Sequence, residues 1–80
     1  MAPPVREVDL VLERGGREFA GVEVKASATV RSSDFRGLRK LAVDAGKRFA
    51  AGVVLYDGET CAGFGDRMYA VPVRALWETA

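Results

Sequence analysis

Histidine is absent from this chain, cysteine occurs once and proline three times, and basic and acidic residues nearly cancel at 12 against 11. Each shortage excludes something. Without His, the usual His-based zinc sites of hydrolases cannot form. The single Cys61 allows no internal disulfide, and a free thiol suits a reducing, cytoplasmic setting. No apolar run approaches the roughly 18 residues of a membrane span, and no apolar signal segment is read at the N-terminus. A net charge of +1 provides no global field toward nucleic acid, so any such contact must come from a local patch.

Eighty residues, 49% hydrophobic and 29% charged, describe one folded domain over 1–80, with Met1–Pro4 an extended leader set by Pro3 and Pro4. A chain this short buries a limited fraction of its surface, so association with another chain would add stability.

The stretch from Glu7 to Lys25 is the most informative. Val5–Glu13 reads as a strand with Val8, Leu10 and Leu12 on one face and Glu7, Asp9 and Val11 on the other. Arg14-Gly15-Gly16-Arg17 is a hairpin turn, and Glu18–Ser27 a second strand with Phe19, Gly21, Glu23 and Lys25 on one face. Gly21 within a strand marks a bulge, a close approach or a small residue on a packed face. Charges inside strands cost stability unless they stay wet or find partners. One account is an ordinary half-exposed strand, with Glu23 and Lys25 as a solvated ion pair worth little. The other is a cation site, because Mg²⁺ or Mn²⁺ takes one or two carboxylates plus phosphates and waters. Asp9 and Glu23 would be the ligands. Lys25, two residues beyond Glu23, projects from the same face and could stabilise charge on a phosphate.

That site makes a demand on register. Glu23 must stand opposite Asp9, whereas a two-residue Gly15-Gly16 loop pairs Arg14 with Arg17 and sets Glu23 opposite Val8. A three- or five-residue loop, or a glycine bulge, is therefore expected.

Farther on, Ser27–Ser33 is a polar loop, and Ser32, Ser33 or Asp34 can cap a helix over Asp34–Ala45. Phe35, Leu38, Leu41, Ala42 and Ala45 form its buried stripe, and Gly46 ends it. Arg31, Arg36, Arg39, Lys40, Lys47 and Arg48 are the candidate DNA-phosphate contacts; singly, each also fits a solvated helix face. Ala50–Tyr56 suits a strand buried on both faces. Gly63 and Gly65 lie in a loop, Arg67–Val71 forms the last strand, and Pro72 opens a short C-terminal helix through Trp77, where Leu76 and Trp77 seal the core. The expected fold is α/β (α+β): a mixed four-stranded sheet in order 1-2-3-4, with a crossover helix returning strand 3 parallel to strand 2 and the last strand antiparallel.

Asp9 followed by Glu23-Val24-Lys25 after thirteen intervening residues resembles the D…E-x-K signature of the PD-(D/E)XK nuclease superfamily. The longer strings Glu7-Val8-Asp9-Leu10-Val11-Leu12 and Val22-Glu23-Val24-Lys25-Ala26-Ser27 resemble the C-terminal nuclease-like DUF4143 domain of AAA-type ATPases, with similarity running from Glu7 to Trp77. The resemblance implies a restriction-endonuclease-like fold and metal-dependent cleavage of DNA, with Asp9, Glu23 and Lys25 catalytic and Asp9 and Glu23 on Mg²⁺ or Mn²⁺. It implies an ATPase domain in a longer parent chain. Such folds begin with a helix and a further strand, which Met1–Arg6 are too few to supply, so a version truncated at its N-terminus is expected, with Glu7 standing in for an acid of that helix. The alternative is a catalytically inactive module of the same fold that binds DNA, a protein or its own copy. The uncovered strand and face, with Val8, Leu10, Leu12, Val22 and Val24, point to a homodimer packed through that face.

Overall fold

The computed structural model describes residues 8–78. Two strands, β1 (Leu10–Arg14) and β2 (Glu18–Lys25), form the expected hairpin. Its loop is the three residues Gly15-Gly16-Arg17, closed by the Arg17 N–H donating to the Arg14 carbonyl at 3.1 Å. Gly15 and Gly16 have φ of 61° and 68°, a region glycine enters without steric penalty. Leu10 stands opposite Val22 and Arg14 opposite Glu18, the register the cation site requires.

A 3₁₀ turn over Ser32–Phe35 leads into α1 (Arg36–Ala45), so the helix expected from Asp34 opens as a tighter turn. Gly46, at φ 59°, ends it by donating its N–H to the Ala42 carbonyl. The chain returns as β3 (Phe49–Tyr56), parallel to β2, then forms β4 (Ala62–Gly63) and β5 (Met68–Pro72).

Two topological expectations are corrected. The sheet has five strands in order β1-β2-β3-β5-β4, not four in order 1-2-3-4. The strand beside β3 is parallel to it, not antiparallel. The cause is β4: the chain turns back into this two-residue edge strand, reverses at Phe64–Arg67, and lays β5 between β3 and β4. The Phe64 N–H donates to the Met68 carbonyl at 2.9 Å, and Arg67 takes φ 60° to make the reversal.

The C-terminal helix is a single 3₁₀ turn, Val73–Leu76, and Pro72 ends β5 instead of opening a helix. Leu76 and Trp77 are 61% and 70% exposed, so they do not seal the core. Phe64 does the sealing, its ring stacked on Phe35 at 4.8 Å.

The core is Phe35, Leu38, Phe49, Val54, Tyr56, Met68 and Ala70, between α1 and one face of the sheet, with Val8, Leu41, Ala42 and Ala45 packed around it. Val8 thus leaves the face of Leu10 and Leu12, where alternation had placed it. β3 alternates between buried and half-buried positions: its helix-facing residues are covered, while Val53 and Leu55 on the reverse are not, correcting the expectation of burial on both faces.

Gly21 and Gly52 are paired neighbours on β2 and β3, and Leu38 sits over both. A Cβ on Gly52 would lie 2.7 Å from Met68 Sδ, 3.1 Å from Leu38 Cβ and 3.2 Å from Phe49 Cζ. On Gly21 it would meet the Cδ2 tips of Leu38 and Leu41 at 2.6 and 2.8 Å. The leucine tips and the Met68 thioether can rotate away; the Leu38 Cβ and the buried Phe49 ring, which both crowd Gly52, cannot. Gly52→Ala is therefore predicted to cost about 1–3 kcal/mol in urea unfolding, and Gly21→Ala less. Equal losses would mean that the helix does not rest on the sheet in this way.

Candidate functional site

Gly21 faces α1, and side chains alternate along a strand, so Glu23 and Lys25 project toward the same side of the sheet. The hairpin ladder ends at Leu10–Val22, and Asp9 stands in a bend just before it. Asp9 also has a direct anchor: its Oδ2 accepts the Val24 N–H at 2.8 Å. That bond extends the ladder past the end of β1 and leaves Oδ1 outside it. Glu23 is half-buried and has an interaction of its own. Glu7, the stand-in acid, lies outside the described residues.

Lys25 is engaged. Its Nζ lies 2.5 Å from Asp34 Oδ2, with the two side chains 29% and 23% exposed. The same oxygen accepts the Arg31 N–H at 2.7 Å. Lys25's hydrogen bond is the main reason that the Asp34 carboxyl ionises below its ordinary value of 3.8; partial burial opposes this, and the Arg31 N–H and the two nearby cations add to it. Sequence reasoning named Asp34 only as one of three possible helix caps, with Ser32 and Ser33, and missed this partnership. A pairing between a strand end and a turn leaves no trace in hydrophobic periodicity; the available signal was a lysine at the end of a strand followed by a short loop and an acid.

Among the described residues no group of three or more acidic, Cys or His side chains could hold a metal. Mg²⁺ needs only one or two protein carboxylates when phosphate and water complete its shell, a number that Asp9 and Glu23 would supply, whereas a metal caged wholly by protein does not fit. Two clefts of about 260 Å³, one at the hairpin turn beside Phe19 and Ala50 and one between α1 and the Phe64–Met68 turn, include none of Asp9, Glu23 or Lys25. The acids and lysine therefore lie outside both clefts.

The six basic candidates do not form one patch. Arg31 and Arg36 are exposed near Asp34, at the Lys25 end. Arg39 is committed to structure: it donates to the Ser32 carbonyl and Oγ and to the Phe64 carbonyl, and its guanidinium lies 5.8 Å from the Phe35 ring centre. Lys40 is exposed and has an interaction partner. Lys47 and Arg48 follow α1 at its other end, roughly 15 Å away along a ten-residue helix. There Arg48 stacks over Phe19 at 4.7 Å.

The family of a domain of unknown function, DUF4143, matches residues 4–76, and the chain belongs to it. No curated protein and no solved structure matches.

The depressed Asp34 value fixes a pH dependence. The stabilisation it brings is complete above about pH 4 and is lost as pH falls through the lower folded value. Asp34→Asn should lower stability at neutral pH and flatten the acid limb of the stability–pH curve. An unchanged acid limb in urea titrations would contradict the pairing.

Proposed function

We propose that this member of the DUF4143 family is a PD-(D/E)XK-type nuclease domain that hydrolyses DNA phosphodiester bonds with Mg²⁺ or Mn²⁺, as the C-terminal part of a longer cytoplasmic chain carrying an AAA-type ATPase. The observation that supports the reading is the hairpin register, Leu10 opposite Val22, together with the bond from the Val24 N–H to Asp9 Oδ2, which brings Asp9 beside the Glu23–Lys25 end of β2.

In this reading Asp9 and Glu23 hold the cation through carboxylate oxygens, the donors that a hard divalent ion prefers. The bound cation would polarise the phosphoryl group and supply an activated water. Asp9 is preset for its part by the Val24 N–H, which fixes one oxygen and orients the other. Lys25 places an ammonium where negative charge grows on the phosphoryl oxygens, and such stabilisation is strongest when the donor is already in place. Arg31 and Arg36 engage neighbouring phosphates on that side. Lys47 and Arg48 engage the backbone farther along, so the basic residues act as two separated contacts.

Lys25→Ala should abolish nicking of supercoiled plasmid at a temperature where the variant is fully folded, although it also removes the ion pair with Asp34. Asp9→Asn and Glu23→Gln should weaken Mn²⁺ binding in calorimetry. Wild-type protein that neither binds Mn²⁺ nor nicks DNA would overturn the enzyme reading.

A second reading, a non-catalytic module that pairs with its own copy, is favoured by the sheet face opposite α1. Leu10, Val22, Val53 and Tyr69 form one row across four strands, with Leu12, Ala20 and Ala51 on one side of it and Val24, Leu55 and Val71 on the other. Leu10, Leu12 and Val24 are 52%, 51% and 58% exposed. At the hairpin end these rows are flanked by the Arg14–Glu18 ion pair, whose charges offset each other. Strand spacing and rise give this face roughly 350 Å², well below the ~800 Å² per partner of a stable interface. We infer a weak dimer, with a dissociation constant on the order of 100 μM or above. Sedimentation equilibrium should find it, and Val53→Lys should remove it. A tight dimer insensitive to Val53→Lys would place the contact elsewhere.

A further inference from the structure

We propose that Asp34 is a positioning residue, holding the Lys25 ammonium where the reaction needs it; the proposal rests on the nuclease reading above. A free lysine side chain at a strand end samples many rotamers, and fixing it costs up to about 2 kcal/mol. If that ordering had to occur during the reaction, it would add to the barrier. Ordering it beforehand moves the cost into folding.

Asp34 is built to do this because it is itself immobile. Its N–H donates to the Arg31 carbonyl at 2.9 Å while its Oδ2 accepts the Arg31 N–H, a closed ring at the start of the 3₁₀ turn. The next residue, Phe35, is 0% exposed and stacked on Phe64, and Leu38, three residues farther on, lies over the glycine pair. These contacts tie the carboxylate to the turn and the core, so it serves the lysine as an anchor. Only one of the three ammonium donors is spent on Oδ2, and two are left for phosphoryl oxygens.

A tie that merely closed the loop between β2 and α1 would also stabilise the fold, so the test must separate the two roles. The variant is Asp34→Asn, with Asp34→Glu as the conservative rescue. The first readout needs no activity: the ¹⁵N-detected ammonium signal of Lys25, seen only when its protons are held against exchange, should be present in wild type, absent in Asp34→Asn and partly restored in Asp34→Glu. The second is turnover: Asp34→Asn should lower kcat by up to about 10²-fold with KM little changed, at a temperature where the variant is fully folded. An unchanged ammonium signal in Asp34→Asn overturns the proposal. So does an unchanged or raised kcat when Lys25→Ala is inactive, since Asp34 would then be a spectator or a brake. If wild type and Lys25→Ala are equally inactive, the nuclease reading fails, and the ammonium signal alone decides whether Asp34 positions Lys25.

Discussion

The close seat of α1 on Gly21 and Gly52 is the constraint on which the rest of this small domain depends. Two paired glycines remove the side chains that would otherwise hold the helix farther from the sheet. Leu38 fills the space they leave. The depth of that seat fixes the helix, the helix fixes the 3₁₀ turn before it, and the turn fixes Asp34 relative to the end of β2. The hydrophobic core has only seven buried residues among those described, so each contact in this stack carries a large share of a marginal total.

The other determinant is local. Two successive glycines at positive φ make a three-residue loop, and the loop sets which residues face each other along the whole hairpin. A one-residue slip would exchange the faces, expose the glycine floor and send Glu23 and Lys25 to the open side. Packing and chemistry thus depend on the same turn, which ties the candidate site to the foldability of the domain.

Much of this was legible in the sequence because it rests on alternation and helical spacing. The faces of β2 follow from Phe19, Gly21, Glu23 and Lys25 against Ala20, Val22 and Val24, and the buried stripe of α1 from Phe35, Leu38, Leu41, Ala42 and Ala45. The register followed from asking what Asp9 and Glu23 would require. What escaped had no periodic trace. Two residues, Ala62 and Gly63, are too few to read as a strand, yet they reverse the direction of β5. Trp77 looks like a core residue by composition, but a single 3₁₀ turn leaves it outside. Val8 fits the alternation of β1 and still crosses to the helix side, because the strand begins only at Leu10. Arg39 and Arg48 read as free cations until their rings and carbonyls are known, and Asp34 reads as a cap, which it also is.

The central claim, that Asp9 and Glu23 together hold a divalent cation beside Lys25, is tested most directly by paramagnetic broadening of backbone amide signals during a Mn²⁺ titration. Broadening falls off steeply with distance from the ion. Signals of Asp9, Leu10, Glu23, Val24 and Lys25 should disappear first, at Mn²⁺ levels that leave Asp57, Glu59 and the Gly15–Gly16 turn sharp, and Glu23→Gln should abolish the selectivity. Broadening centred on the Asp57–Glu59 loop, or spread evenly over all exposed carboxylates, would contradict the account.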